Sequence, residues 1–150
     1  MAEVFPIIPA PMRTLVTLGV IVAALAVLLA LFGYLLYATQ NISFEVSARG
    51  LQVRNDPFRR FIPIENIDQT NIRAIDLERE TEYRPRWRTG GTGLPGYKSG
   101  WFKLKNGEKA LLFLTDYQSA VYIPTTQNYA VILSVAEPQR LVDTLRQAAN

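Results

Sequence analysis

The sequence predicts a mainly β domain joined to one N-terminal transmembrane helix and closed by a short C-terminal helix. Three observations predict it. From Leu15 to Leu36 almost every residue is Leu, Val, Ala, Ile, Gly or Phe; only Thr17 and Tyr34 interrupt the run, and nothing in it is charged. Beyond Tyr37 apolar and polar residues alternate in short runs separated by turn residues, the pattern of strands. Near the C-terminus the apolar spacing changes to that of an amphipathic helix. A chain of 150 residues has room for one such domain plus an anchor. The expected organisation is a Pro-rich tail over 1–12, a transmembrane helix over 13–38 and a β domain over 40–150 whose final helix covers 137–148.

Pro6, Pro9 and Pro11 among Phe5, Ile7 and Ile8 keep the first segment from extending the helix upstream or pairing in a sheet. An extended tail near the membrane surface is expected, against simple terminal disorder. The apolar run that follows reaches roughly 33 Å as a helix and can cross a hydrocarbon layer about 30 Å thick. A cleaved export signal is the rival reading. Such signals carry apolar cores of about 7–15 residues and a small-residue cleavage site, and none follows Leu36 promptly, so an uncleaved anchor is expected. Tyr34 and Tyr37 suit the headgroup level at one end of the span. Gly19 and Ala23, then Ala26 and Ala30, place small side chains four apart, which permits close helix packing; plain lipid exposure is the alternative.

Ile42, Phe44 and Val46 alternate with Ser43, Glu45 and Ser47; after Ala48-Arg49-Gly50, Leu51 and Val53 alternate again, which predicts a hairpin. Asn55-Asp56-Pro57 predicts a turn before Phe58 to Pro63, where Arg59 and Arg60 flank Phe61 and Ile62. Ile64 to Thr70 reads as a helical turn or connector and Ile72 to Leu77 as a strand. Glu78 to Lys98, rich in Arg, Gly, Pro and aromatic residues, is expected to be irregular. Trp101, Phe102 and Leu104 lead into Asn106-Gly107, a type I′ signal in which both central residues take positive φ. Ala110 to Leu114 returns as the partner strand, and Ala120 to Ile123 with Tyr129 to Leu133 forms the last pair. Ser134 and Glu137 fit a capping box, Pro138 a first helical turn, and Leu141, Val142 and Leu145 one buried helix face.

About seven short antiparallel strands followed by one amphipathic helix is the element order of a bent sheet or barrel capped at one end. The run from Arg88 to Tyr97 (RTGGTGLPGY), then Gly100-Trp101-Phe102, Leu104, Asn106 to Leu111, Leu114-Thr115-Asp116 and Tyr122 to Thr125, resembles a bacterial family of pleckstrin-homology-like domains often attached to N-terminal membrane spans. The likeness covers roughly 40–148. It implies a pleckstrin-homology-like fold in a membrane context, here a single-pass protein of a bacterial inner (cytoplasmic) membrane, and supplies no agreed biochemical activity. The positive-inside comparison sets Arg13 and the amino terminus against Arg49 and Arg54, within about 20 residues of the other end, and narrowly favours a cytoplasmic domain.

Cysteine and histidine are both absent, so thiol nucleophiles, histidine bases, disulfides and the usual zinc sites are excluded. A net charge of +3 with mixed signs argues against nucleic acid as a partner. Arg84, Arg86 and Arg88 alternate with Pro85 and Trp87, so an extended chain would present three guanidinium groups on one side, with Lys98 beyond them. Such a group suits anionic lipid or a partner protein, at about 1 kcal/mol per basic residue near a membrane. The alternative is that these arginines stack on Tyr83, Trp87 or Tyr97, or pair with Glu78, Glu80 and Glu82. The Thr89 to Gly96 stretch lacks the Lys-Ser/Thr and helix start of a phosphate loop; Lys98-Ser99-Gly100 leads into a strand, so a tight loop anchored by Leu94 and Tyr97 is expected. Glu80, Glu82 and Asp116 have no nameable orienting partner for acid–base work. The expected role is therefore a non-catalytic, membrane-anchored interaction module, an accessory subunit contacting the bilayer and other membrane protein subunits, without cofactor. A reader of anionic lipid headgroups and a cryptic enzyme are the alternatives.

Overall fold

A long uncharged apolar run suits a helix, whose peptide groups bond along the chain itself, and here it forms helix α1 (Met12–Gln40). The computed structural model describes residues 3, 5, 6, 8–40 and 42–148. The chain divides into two units, Met1–Gln40 and Asn41–Asn150. In the first, the 26 residues Met12–Tyr37 are long and apolar enough to cross a membrane. The Thr17 hydroxyl donates to the Arg13 carbonyl at 2.9 Å, which satisfies a polar group within this helix. Of the Pro-rich tail, residues 1, 2, 4 and 7 lie outside the described residues; 3, 5, 6 and 8–11 carry no helix or strand, and Met12 already belongs to α1.

The second unit opens with β1 (Ser43–Ser47) and β2 (Gly50–Arg54), joined by the two residues Ala48 and Arg49. With β3 (Phe61–Pro63) they form a three-stranded antiparallel sheet in the order β1-β2-β3. Gly50 has φ 149°, and a Cβ there would collide with the Ile62 carbonyl, so only glycine lets β2 and β3 approach this closely. A 3-10 turn at Ile64–Asn66 leads to β4 (Arg73–Ile75), and a second at Thr81–Tyr83 to β5 (Pro85–Leu94). Then come β6 (Tyr97–Leu104), β7 (Lys109–Leu114), β8 (Ala120–Pro124), β9 (Ala130–Ser134) and helix α2 (Pro138–Ala148). Strands β4 to β9 make a six-stranded sheet in the order β4-β8-β9-β7-β6-β5.

Leu51, Val53 and Ile62 from the small sheet, Leu111, Phe113, Val131 and Leu133 from the large one, and Val142 and Leu145 from α2 share one core. The opposite face of the large sheet buries Leu104, Leu112, Leu114 and Ile132 together with Leu77. Both faces of β7 and β9 are thus covered, which explains why Ala110–Leu114 and Ala130–Leu133 are unbroken apolar runs rather than alternating ones. The mainly β class with a C-terminal helix agrees with expectation.

Several details differ. Among the described residues there are nine strands in two sheets, and β7 pairs β9 in parallel. The expected strand Ile72 to Leu77 shrinks to Arg73–Ile75. The expected irregular region 78–98 is irregular only to Arg84; beyond it the glycines lie in β5, the long edge partner of β6, and the turn is Pro95-Gly96, with Gly96 at φ 72°. Leu94 does not anchor this hairpin, being half exposed, whereas Tyr97 does. At Asn106-Gly107 only Gly107 has positive φ (88°). The Gly107 N–H donates to Leu104 O at 3.1 Å and the Leu104 N–H to Glu108 O at 2.8 Å, which closes a three-residue bulged turn instead of type I′. Ser134 does not cap α2. Its Oγ accepts from the Thr115 and Asp116 N–H groups at 3.1 Å each and donates to Asp116 O at 2.6 Å, tying down the β7–β8 loop, while Glu137 pairs with Arg140 at 2.8 Å.

Candidate functional site

The alternation of Arg84, Arg86 and Arg88 with Pro85 and Trp87 predicts three guanidinium groups on one side, with Lys98 beyond them, and alternation is what β5 breaks. Its register against β6 shifts between Pro85 and Trp87 and again between Arg88 and Gly90, so Arg86 sits in a bulge. Arg84 turns inward, where its guanidinium donates to the Leu77 and Glu78 carbonyls and lies 5.8 Å from the centre of the Tyr117 ring. Arg86 stacks on Trp87 at 4.8 Å, and Lys98 on Tyr117 at 5.3 Å. Arg88 is exposed and opposite Phe102 in the register. Glu80 is taken by Arg73 at 2.7 Å. Arg84 thus serves backbone carbonyls and Arg86 an indole, and none of the three arginines pairs with Glu78, Glu80 or Glu82 among the described residues. The small residues Gly19, Ala23, Ala26 and Ala30 are exposed on α1 and fall within about 60° of one another at about 100° per residue.

Around Trp87 the structure assembles a surface that alternation did not indicate. Trp87 pairs with Lys103 across β5–β6, and Lys103 pairs with Lys109 across β6–β7, so the three side chains form a row on one face of the sheet. Lys103 Nζ lies 5.9 Å from the Trp87 ring centre, and Lys109 Nζ lies 4.4 Å from that of Trp101. Arg60, from the loop before β3, reaches over Trp101 at 5.6 Å and Tyr129 at 5.8 Å. Trp101 and Tyr129 meet edge to face at 5.1 Å. Trp101 rests on the rim of the shared core, and Tyr129 is buried in it, so the rings are fixed from beneath while Trp87 stays 48% exposed. Arg60, Arg86, Lys103 and Lys109 are all held by rings, and none has a carboxylate within ion-pair distance among the described residues. Glu108, next to Lys109 in the chain, is engaged elsewhere: Tyr122 donates to its carboxylate at 2.9 and 3.1 Å. Burial and that carboxylate push the Tyr122 hydroxyl pKa well up.

Two further polar clusters are internally satisfied. Asp56 is 5% exposed and accepts from the Tyr97 hydroxyl at 2.7 Å, the Ser99 hydroxyl at 2.6 and 2.7 Å and the Phe58 N–H at 2.7 Å. Burial, and next the hydrogen bond to Asp56, push the Tyr97 pKa up to about 12. A cleft of about 440 Å³ is lined by Arg73, Tyr83, Tyr122 and Arg146 among others. There Arg73 is bound by Glu80 and stacked on Tyr83 at 5.2 Å, and Arg146 donates to the Ile72 carbonyl at 2.9 Å. These groups hold the β4–β8 edge together. Sequence reasoning found Arg86 and Trp87 but missed Arg60, Trp101, Lys103, Lys109 and Tyr129. The available signal was the placement of Lys103 and Lys109 about the β6–β7 turn, which puts them opposite each other once the hairpin register is known.

Compared with known proteins, residues 42–149 match a family model described as a bacterial PH domain. No curated protein and no solved structure matches the chain.

Proposed function

This chain belongs to the bacterial PH domain family, and from that premise we propose that it is a non-catalytic interaction module held at the bilayer by an uncleaved α1, serving as an accessory subunit of a larger membrane protein complex. The observation that carries the reading is the cationic and aromatic face around Trp87 and Trp101. Here Arg60, Arg86, Lys103 and Lys109 lie together on aromatic rings with no carboxylate in ion-pair distance among the described residues, whereas the carboxylate of Asp56 and the guanidinium of Arg73 are consumed by internal partners. Surface tryptophan and arginine, here Trp87, Arg60 and Arg86, are enriched in contact regions between proteins. The stripe of Gly19, Ala23, Ala26 and Ala30 offers α1 a side on which a neighbouring span can pack closely. In this reading the domain faces the cytoplasm, and a single cysteine at Gln139 is protected from an impermeant thiol reagent in intact cells while one at Glu3 is labelled.

Purification of the full-length chain in mild detergent tests the role: a partner retained at fixed stoichiometry is expected, and recovery of the chain alone overturns it. A second reading is favoured by Arg86 and Arg88, which are exposed and lack carboxylate partners: the domain reads anionic lipid headgroups. Recovery of the chain alone, together with tighter association of its domain with anionic than with neutral bilayers, would replace the first reading by this one.

A further inference from the structure

The face around Trp101 commits its rings and its charges in a way that narrows what can occupy it. Lys109 and Arg60 both lie over the Trp101 indole, and Tyr129 meets its edge, so the ring is already covered and is not offered for stacking against a base or sugar. Each cation is also drawn onto a ring. Lys103 and Lys109 sit on neighbouring strands, about 4.8 Å apart in the hydrogen-bonding direction. Arg86 lies beyond them on the edge strand and Arg60 on the opposite side, in the loop before β3. A phosphate headgroup site gathers several donors around one small anion; here the four cations are held on aromatic rings, Arg86 and Lys103 on Trp87 and Arg60 and Lys109 on Trp101, rather than aimed at a common point. An extended peptide with acidic residues at every second position presents a line of carboxylates on one side, about 6.8 Å apart, and the long flexible lysine and arginine side chains of this face can reach two or three of them at once.

Resting on the reading of the chain as a tethered interaction module, we propose that this face is the docking surface for an acidic, extended segment of a partner protein. Arg60, Lys103 and Lys109 supply the charge complementarity, and Trp87 supplies the exposed apolar contact at the end of the row. Bringing carboxylates to cations that have no counter-charge of their own speeds association and fixes register, and the attraction weakens as salt is added.

Both tryptophans of the chain, Trp87 and Trp101, lie on this face, so emission excited selectively at tryptophan rather than at the seven tyrosines reports on it. Full-length protein in neutral phosphatidylcholine nanodiscs is titrated with a short alternating Glu-Thr peptide, with its Gln-Thr counterpart and with oligothymidylate. The Glu-Thr titration is repeated in discs doped with phosphatidylglycerol. A saturable emission change is expected with Glu-Thr alone, weakened roughly tenfold or more by the triple change Arg60→Gln, Lys103→Gln and Lys109→Gln. A charge-matched variant, Arg49→Gln, Arg79→Gln and Arg140→Gln, should leave it intact, and circular dichroism checks that both variants are folded. No saturable response to Glu-Thr overturns the proposal, as does equal weakening in both variants. So does a response confined to oligothymidylate or to phosphatidylglycerol, which would give the face to that anion instead. A stoichiometric partner that still co-purifies with the Arg60, Lys103 and Lys109 variant leaves the tethered module standing and removes only the acidic-segment assignment.

Discussion

Asp56 is the residue on which the domain's two sheets are tied together. In the sequence it reads as one member of a turn, and locally it is: its carboxylate accepts from Phe58 N–H two positions on. Its other partners, Tyr97 and Ser99, are 41 and 43 residues away, and nothing in the pattern around Asn55-Asp56-Pro57 points to them. An ionised carboxylate only accepts, and here all its donors are hydroxyl or N–H groups. Asp56→Asn turns one acceptor oxygen into a donor facing other donors and should cost about 1–3 kcal/mol, read from urea unfolding. A change under about 0.5 kcal/mol would show that the knot is dispensable. Tyr97 makes the same knot sensitive to alkali. Its pKa rises from the ordinary value of 10.0 to about 12, so the folded state keeps this proton where the unfolded state loses it. The stability this contributes is fully present below pH 10 and is lost as pH climbs through about 12. The urea midpoint of the parent chain should therefore fall more steeply above pH 10 than that of Tyr97→Phe; parallel curves would contradict the assignment.

The hairpin of β5 and β6 is where sequence and structure part most clearly. Arginines, glycines and a Pro-Gly pair look like a long loop because glycine is depleted in strands, and here the glycines serve an inter-strand approach instead. Gly91 and Gly100 stand directly opposite each other with φ of 154° and 107°. A Cβ on Gly100 would come within 2.6 Å of the Gly90 carbonyl oxygen and of Gly91 Cα, and one on Gly91 would collide with the Ser99 carbonyl. Alanine at either position should destabilise the domain by about 2 kcal/mol or more, with early hydrogen exchange in β5 and β6. Gly93→Ala, whose Cβ would meet nothing closer than the Phe102 ring at 3.8 Å, should be tolerated. Equal effects at the three positions would mean that the close approach does not matter. Elsewhere the elements were readable where one physical rule acted alone: the alternation of Phe44 and Val46 with polar neighbours gave the first hairpin, and Leu141, Val142 and Leu145 gave α2. Ser134 was misread because a cap and a loop tether use the same hydroxyl, and only the fold decides which N–H groups it meets. The candidate face was half legible for a related reason. Arg86 and Trp87 are neighbours in sequence, while Arg60, Trp101, Lys109 and Tyr129 come together only through strand pairing.

For the molecule as a whole, two chemistries lie in one chain: an apolar helix that satisfies its own backbone, and a bacterial PH domain whose buried Asp56 is held by internal donors and which gathers Arg60, Arg86, Lys103 and Lys109 around its two tryptophans. The first was legible because hydrophobic length is a one-dimensional property, and the family because its central motif, from Arg88 to Tyr97, is contiguous. The identity of whatever docks on the face is not a property of this sequence at all, since complementarity fixes only its charge and shape. In the proposed anchored form, tethering would concentrate the domain at the bilayer, so that even a weak contact with another membrane protein would gain from a raised effective concentration. Everything proposed for the domain depends on that tether remaining in the mature chain. Intact-mass spectrometry of membranes washed in alkaline carbonate tests it most directly: the washed pellet should hold the chain with residues 12–37 still attached, and a mature product that begins beyond Tyr37 and leaves with the supernatant would contradict it.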